Sequence, residues 1–168
     1  MNRRILPRKT GNTFPERMMT VKELNQMTLT FSARSVNESF ARVAAASFLS
    51  QLDPTLQELA EIKTIVSEAV TNCIVHGYAE GTGSVRMKVQ IFEGNKVRIT
   101  VSDKGRGIAD IPQAMTPCFT TGNEDRAGMG FSIMQGFSDR IRVRSRSGKG
   151  TTVVLDKYIG GRHDGSNL

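Results

Sequence analysis

Apolar and polar residues follow regular patterns from about residue 27 to residue 158. Residues 27–31 alternate between the two classes, which predicts a short strand. Two longer alternating segments, 85–91 and 97–101, flank the turn sequence Glu-Gly-Asn and predict a hairpin. Each of these segments has one apolar and one polar face. We therefore expect an antiparallel sheet that helices cover on one side only.

The segment between the first strand and the hairpin predicts two helices. The first follows a cap at Ser35 or Asn37 and runs to about Leu52. Its predicted apolar face consists of Phe40, Val43, Ala44, Phe48 and Leu49. The second helix is expected to have Asp53 as its cap and Pro54 at its first position.

One flank of the second helix carries a row of polar residues. Glu68, Asn72 and His76 follow one another at intervals of four residues, beside the apolar stripe. The helix is expected to end at Gly77. An Asn oxygen suits Mg²⁺ beside phosphates, and a Glu one turn away can order a water or accept a proton from a hydroxyl. By itself, the row is more typical of a solvated helix flank than of a site.

The C-terminal half predicts one long loop followed by a helix and two strands. Residues 104–127 are rich in glycine, proline and charge, and predict a loop with one helical turn. A loop of that length in a compact domain is usually functional or mobile. A helix at about 128–138 and strands at about 140–146 and 151–158 are expected to close the domain.

Three glycine motifs accompany the polar row. Asp103 ends a strand and is followed by Gly105 and Gly107, which allow a tight turn. A buried Asp can accept a hydrogen bond from an exocyclic amine such as that of adenine. Gly-Met-Gly-Phe at 128–131 opens a helix whose N–H groups suit phosphates, and Gly-Lys-Gly-Thr-Thr at 148–152 predicts a turn. The Walker and dinucleotide-binding patterns are both missing.

Length and composition limit the organisation of the chain. Its 168 residues fit one domain at 27–158, with a disordered basic tail at 1–26 and a frayed end at 159–168. There is no apolar run of ~18 residues and no secretory signal, so we expect a cytoplasmic protein without membrane contact. Cys73 and Cys118 form no metal motif and are expected to be free thiols.

The formal net charge is +7, and much of the excess lies in the N-terminal tail. Arg140, Arg142, Arg144 and Arg146 occupy every second position of a predicted strand, so all four lie on one face. That face is either a solvated surface or a docking surface for an acidic partner. Nucleic-acid binding would rest on charge alone, because aromatic residues that stack on bases are absent there.

In their order along the chain, the four motifs resemble the N, G1, G2 and G3 boxes of the GHKL ATPase superfamily, over about residues 27–158. Within it, segments 37–72, 117–121 and 127–134 are similar to the sporulation branch of the anti-sigma-factor serine kinases. The resemblance implies an α/β (α+β) two-layer sandwich, the Bergerat fold. Its sheet would be mixed and mostly antiparallel, with helices on one face, and it would bind ATP or ADP with Mg²⁺.

The resemblance also implies roles for individual residues. Asn72 would hold Mg²⁺, Asp103 would read the adenine amine, and Glu68 would be the general base or orienting carboxylate for the acceptor hydroxyl. The family usually carries a lysine soon after the Phe-Thr-Thr of the lid, whereas this chain has Gly-Asn-Glu-Asp-Arg at 122–126. A phosphate contact is therefore either missing or taken over by Arg126. The implied nucleotide contacts are Asn72, Asp103, Gly105, Gly107, Thr120, Thr121, Gly128, Met129, Gly130, Phe131 and Thr151.

The same resemblance implies protein partners. Members of this family phosphorylate a serine on an anti-anti-sigma factor, bind and inhibit a sigma factor (here of the sigma-F type), and form homodimers. Glu38 and Arg42 on the exposed face of the first helix are the candidate partner contacts, with ordinary surface charge as the alternative. A kinase for a stress sigma factor and a non-catalytic, ATP-switched sigma-binding module are open alternatives. A histidine-kinase fragment is disfavoured, because the chain has no room for a phosphoacceptor hairpin.

Overall fold

The computed structural model describes residues 21–78, 82–116 and 129–160. Within these ranges the strands are β1 (Glu23–Ser32), β2 (Ser84–Phe92), β3 (Lys96–Ser102), β4 (Arg140–Arg146) and β5 (Gly150–Tyr158). The helices are α1 (Val36–Leu49), α2 (Leu56–Thr71), α3 (Ile111–Ala114) and α4 (Gly130–Phe137). A 3₁₀ turn follows α1 at Ser50–Leu52, and a π-helical turn extends α2 over Asn72–Gly77.

The five strands form one sheet in the order β1-β2-β3-β5-β4, and each described pair is antiparallel. One face of this sheet, the inner face, is covered by α1, α2 and α4, and the other, the outer face, has no helix among the described residues. The expected two-layer sandwich is therefore confirmed. The described strands form a purely antiparallel sheet, whereas the resemblance implies a mixed, mostly antiparallel one. The 3₁₀ turn at Glu93–Asn95 joins β2 directly to β3 as an antiparallel hairpin.

The core lies between α2 and the inner face of the sheet. Alternation along β2 and β3 buries every second residue there, as the hairpin pattern predicts. The fully buried residues of α2 are Ile62, Ile65, Val66, Ala69 and Val70. Each large aliphatic side chain that is buried in this way stabilises the fold by about 1.5–3 kcal/mol. This packing holds the C-terminal end of α2 at a fixed height above the sheet.

The apolar face that the sequence predicts for α1 is partly wrong. Phe40 and Val43 are 57% and 54% exposed, whereas Ala41 and Ala45 are fully buried. The small alanines allow α1 to approach α2 closely, so packing selects side-chain size over hydrophobicity at this contact. Leu49 is buried as predicted.

The N-terminus of α2 also differs from the prediction. Thr55, rather than Asp53, is its cap, and Thr55 forms a capping box with Glu58. The Glu58 carboxylate accepts the Thr55 N–H at 2.8 Å, while the Thr55 hydroxyl accepts the Glu58 N–H at 3.2 Å. This reciprocal pair satisfies two backbone donors, which a lone Asp cap does not. Asp53 instead adopts the left-handed conformation, with φ of 49°. At α1, Ser35 occupies the cap position without a side-chain cap bond.

The ordered domain is longer than predicted at both ends. β1 begins at Glu23 rather than at residue 27, because a bulge between Glu23 and Asn25 breaks the alternation that would reveal the strand. Ile159 is buried and the Gly160 N–H donates to Glu58 at 2.7 Å, so these two residues are not frayed. Residues 1–20 and 161–168, where the tail and the frayed end were predicted, lie outside the described residues. Among the described residues, none of the helices combines the length and the hydropathy that a membrane span requires.

Candidate functional site

A cavity of about 600 Å³ lies between the end of α2, the loop after β3, the start of α4 and strand β5. This volume falls in the range of small-molecule sites, about 300–1,000 Å³. The sequence-predicted residues that line it are Glu68, Asn72, Asp103, Gly107, Met129, Gly130, Phe131 and Thr151. Thr120, Thr121, Arg126 and Gly128 lie outside the described residues, as does Cys118. The described parts of all four motifs therefore meet at one cavity.

The polar row of α2 reaches this cavity through a change of helix type. At Asn72 the α-helix becomes a π-helix that continues to Gly77. Single π-helical turns inside α-helices occur frequently at functional sites. Glu68, Asn72 and His76 all line the cavity, so the flank is not simply solvated.

The N-terminus of α4 lies directly against this row. A β-carbon placed on Gly130 would be 2.9 Å from Glu68 Oε2 and 3.4 Å from the Asn72 side-chain amide. Only a glycine lets the backbone approach the two side chains so closely. Unpaired N–H groups in the first turn of a helix, with the positive end of its dipole, favour anions. This corner of the cavity therefore combines an anion-binding helix end with a carboxylate and an amide.

Asp103 occupies the opposite end of the cavity, at the end of β3, and is only 7% exposed. Its backbone N–H donates to Thr151 O at 2.9 Å, which ties it to β5. Its Oδ1 accepts the Gly105 N–H at 2.8 Å. Burial, together with the charge of Asp103 and a hydrogen bond to it, raises the pKa of the Cys73 thiol well above its usual value. The Cys73 thiol therefore stays protonated and donates a hydrogen bond to the Asp103 carboxylate. This bond helps to orient the carboxylate.

Gly105 supports the site from behind without lining the cavity. A β-carbon there would lie 2.1 Å from the carbonyl oxygen of Gly77, so the loop after β3 packs directly on the end of the π-helix. Gly107 has a φ of 72°, in the left-handed region that favours glycine. A β-carbon on Gly107 would meet the Arg146 carbonyl oxygen at 2.2 Å. The two glycines allow the loop to fit between α2 and the β4–β5 turn.

Arg106 locks the same loop in place, and sequence reasoning did not single it out. Its N–H donates to Gly77 O at 2.9 Å, its Nε donates to His76 O at 2.5 Å, and its carbonyl accepts the Gly148 N–H at 2.7 Å. The π-helical turn, the loop and the β4–β5 turn are thereby joined by one residue. The only sequence feature that points to Arg106 as a structural residue is its position between Gly105 and Gly107.

Ser145 and Tyr78 are two further supports that the sequence did not reveal. Ser145 Oγ accepts the Ile108 N–H at 2.7 Å and contacts Thr151 Oγ1 at 2.9 Å. Tyr78 OH accepts the Lys104 N–H at 2.9 Å and donates to Ser84 O at 2.8 Å. These contacts join segments that are distant along the chain, so no local pattern encodes them.

The predicted partner contacts lie on α1, away from this cavity. Glu38 Oε1 is 3.6 Å from Arg42 Nε, and the Ser67 hydroxyl of α2 donates to Glu38. The Glu38 side chain is 21% exposed and that of Arg42 is 43% exposed. Glu38 is thus partly buried between the two helices, whereas Arg42 faces solvent.

The chain is similar to several known proteins. Residues 31–157 match the family described as histidine kinase-like ATPase domain. The anti-sigma F factor of Thermoanaerobacter sp. (strain X514) is 56% identical over 137 residues, which cover 81% of this chain and 95% of that protein. The anti-sigma F factor of Geobacillus kaustophilus is 55% identical over 136 residues, which cover 80% of this chain and 93% of that protein.

Two solved structures share the fold at low sequence identity. The RsbU and RsbW domains of a Mycobacterium tuberculosis protein align with a TM-score of 0.60 and 20% identity, over 81% of this chain and 32% of that one. A blue-light activated histidine kinase of Erythrobacter litoralis aligns with a TM-score of 0.52 and 22% identity, over 71% of this chain and 41% of that one. Both likenesses concern the fold alone.

Proposed function

Because this chain belongs to the anti-sigma F factor family and to the histidine kinase-like ATPase domains, we propose that it is an anti-sigma factor with serine-kinase activity. It would bind and inhibit a sporulation sigma factor of the sigma-F type and phosphorylate a serine of the matching anti-anti-sigma factor. The observation that carries the proposal is the cavity that joins Glu68, Asn72, Asp103 and the N-terminus of α4.

The proposed nucleotide orientation follows from the chemistry at the two ends of the cavity. Asp103 would accept the adenine amine, since the Gly105 N–H and Cys73 use only part of its capacity to accept hydrogen bonds. The first turn of α4 would receive the phosphates. Asn72 beside Gly130 would supply an oxygen ligand to Mg²⁺. Thr120, Thr121 and Gly128 would contribute from the lid.

Two charged residues, Glu68 and Arg126, would have catalytic roles. Bound ATP would transfer its γ-phosphoryl group to the acceptor serine and leave as ADP. Glu68, held against Gly130, would orient the acceptor serine and receive its proton. Arg126 would neutralise charge on the transferred group, as cations do in other phosphoryl-transfer sites. The backbone N–H groups of α4 would complete the positioning.

The partner part of the proposal places protein contacts on α1. The Arg42 side chain is 43% exposed and its Nε lies 3.6 Å from Glu38 Oε1, so this position presents a cation to solvent. We also propose that the chain forms a homodimer. We further propose that it is located in the cytoplasm, where a sigma factor would be present.

A transfer assay tests the kinase. The full chain is incubated with γ-labelled ATP and the candidate anti-anti-sigma factor, with and without the sigma factor. We expect a labelled serine on the anti-anti-sigma factor, and Glu68→Gln should slow transfer by about 10²–10⁴-fold while ATP affinity changes by less than about threefold. Glu93→Gln, the same change in the exposed β2–β3 turn, is the matched control and should transfer at the wild-type rate.

The outcomes separate the alternatives. Bound ATP without transfer would contradict the kinase, and sigma binding that depends on nucleotide without transfer would favour the ATP-switched module. The altered lid sequence at 122–126 supports this second candidate. Transfer to the partner of a stress sigma factor instead would reassign the branch.

A further inference from the structure

The outer face of the sheet carries a large excess of positive charge. Strand register and alternation place eight cationic residues on it, which we name the cationic face: Arg86, Lys88, Lys96, Arg98, Arg140, Arg142, Arg144 and Arg146. The acidic residues on the same face of the described strands are Glu23 and Asp156. The described ranges carry 16 Lys and Arg against 11 Asp and Glu, a net charge of +5, so the excess of six on this face is larger than the net charge of the whole described part. The charge is therefore concentrated on one surface.

The register arranges six of these cations as two walls, Arg86 and Lys88 on β2 and the four arginines on β4, while Lys96 and Arg98 lie on β3 between them. In one cross-strand row, Arg86 on β2 pairs with Ser102 on β3. Ser102 pairs with Thr152 on β5, which pairs with Arg144 on β4. Three strand spacings thus separate Arg86 from Arg144, a distance of about 14 Å between their backbones.

A second row repeats this arrangement. Lys88 and Arg142 stand at its two ends, with Thr100 and Val154 between them. The four side chains between the walls in these two rows are short, and three of them carry a hydroxyl group, while those of the walls are long. These two rows therefore form a short trough with cationic sides and a floor of Thr, Ser and Val, and the next row has Arg98 and Asp156 at its centre.

Only part of this charge is neutralised within the described residues. Asp156 is 3% exposed and accepts two bonds from Arg98, at 2.6 and 2.9 Å, with Lys96 at 3.5 Å and Arg142 at 3.7 Å. In the same described ranges, the remaining five cations have no ion pair: Arg86, Lys88, Arg140, Arg144 and Arg146. The unpaired cations of β2 and of β4 have like charges as their same-face neighbours along each strand, so these neighbours repel one another and do not stabilise the fold.

We propose that the cationic face is a docking surface for an acidic protein segment with Asp or Glu on both of its sides. A helix with its side chains is about 10–12 Å wide and fits between walls about 14 Å apart. Six of the eight cations are arginines, whose planar guanidinium binds carboxylates through two parallel hydrogen bonds. A nucleic acid fits less well, because the two rows between the walls hold no aromatic side chain for bases to stack on, and the outer-face aromatics Phe92 and Tyr158 lie beyond them in the row of Lys96.

This surface is separate from the nucleotide cavity. Thr151 and Val153 of β5 point inward to the cavity, whereas Thr152 and Val154 point outward to the trough. An acidic segment and a nucleotide can therefore be bound at the same time. The docking proposal does not depend on the kinase activity proposed above.

Binding of the full chain to fluorescent poly-L-glutamate tests the proposal by anisotropy at low and moderate salt. Arg86→Gln/Arg144→Gln removes one cation from each wall, and neither arginine has an ion pair among the described residues. Arg34→Gln/Lys63→Gln removes the same charge from exposed positions on the helical side. We expect the wall variant to weaken affinity by about tenfold and the control by less than about twofold, and the wild-type affinity to fall as salt rises.

The proposal fails if wild type does not bind poly-L-glutamate, or if both variants weaken binding equally, since net charge would then suffice. It also fails if duplex or single-stranded DNA binds more tightly than poly-L-glutamate and loses that affinity in the wall variant. Hydrogen exchange provides a second readout: β4 amides should be protected by poly-L-glutamate, while the cavity-lining amides are protected by nucleotide alone. Circular dichroism confirms that both variants are folded.

Discussion

The inner and outer faces of the sheet carry residues of opposite character on the same five strands. The inner face is apolar, is sealed by α1, α2 and α4, and ends in a cavity whose walls leave no space for an added β-carbon at several glycines. The outer face is polar, holds one deeply buried acid and presents long cations to solvent. The inner site depends on close contacts, while the outer surface depends on charge. Substitutions on the two faces should therefore fail in different assays.

Gly105→Ala should have the largest effect, and it should act on the cavity. The new β-carbon would lie 2.1 Å from the Gly77 carbonyl oxygen, so the loop must move and Asp103 loses the N–H that orients it. We expect nucleotide affinity to fall by at least about 100-fold, which corresponds to roughly 2.7 kcal/mol. Calorimetric titration with a non-hydrolysable ATP analogue measures this.

Gly136→Ala is the matched control. It lies in α4 with nothing within 4 Å of an added β-carbon. The substitution should leave nucleotide affinity unchanged and stabilise the protein by roughly 0.5–1 kcal/mol, because Ala favours a helix over Gly. Equal nucleotide affinity in the two alanine variants would contradict the close fit that we assign to the loop.

Asp156→Asn should give the largest effect on the outer face, and it should act on stability. Removing one partner of a fully buried ion pair costs about 3–5 kcal/mol. The cations around Asp156 are 20–35% exposed, and solvent screens them, so we expect a smaller loss of about 2 kcal/mol. Urea unfolding at neutral pH measures the change. If nucleotide affinity fell by more than about twofold in this folded variant, the two faces would not be independent.

Stability should fall in acid for reasons that involve both faces. Burial opposes ionisation of Asp156, but the hydrogen bond from Arg98 and the charges of Arg98, Lys96 and Arg142 hold its pKa below the usual value. The bond from Lys157 lowers the pKa of Glu61 on the helical side. Lowered carboxyl pKa values stabilise the fold above the unfolded pKa of about 4, and this stability is lost as pH falls through the folded pKa.

The pH dependence of stability separates the contribution of Asp156 from that of Glu61. The free energy of unfolding should be flat near neutral pH and decline below about pH 4.5. In Asp156→Asn the decline should be smaller by about 1 kcal/mol, while the part due to Glu61 persists. Urea titrations at a series of pH values provide the measurement. If the free energy of unfolding declined equally in wild type and in Asp156→Asn, Asp156 would not contribute to the loss of stability in acid.

The sequence predicts the sheet, α2 and the meeting of the motifs, because each rests on a local rule. The four-residue spacing from Glu68 to His76 and the glycines around Asp103 survive folding, since helix geometry and backbone freedom act over short distances. The supports of the cavity were missed for the converse reason. Ser145 and Tyr78 act on residues 37 and 26 positions away, respectively, and no local pattern records such pairs.

Where the structure differs from the predictions made from the sequence, the difference also has a physical cause. The apolar character and helical spacing of Phe40 and Val43 predict that they face the core, but the helix–helix contact buries Ala41 and Ala45 instead. The four arginines of β4 were correctly placed on one face, although the strand pattern alone did not reveal the partner strands. The second wall and the hydroxyl floor follow only from the register of β2, β3 and β5, which is a tertiary property.

Arg86→Gln/Arg144→Gln should have the smallest effect on folding of all the changes considered. Neither side chain has an ion pair in the described ranges, and the pair stands at opposite ends of one cross-strand row. We expect the free energy of unfolding to change by less than about 0.5 kcal/mol, because surface cations of this kind add little stability and repel their neighbours. Urea unfolding beside Asp156→Asn makes the comparison within one face. A loss as large as that of Asp156→Asn would mean that the unpaired cations stabilise the sheet, and the outer face would then need no partner to account for its charge.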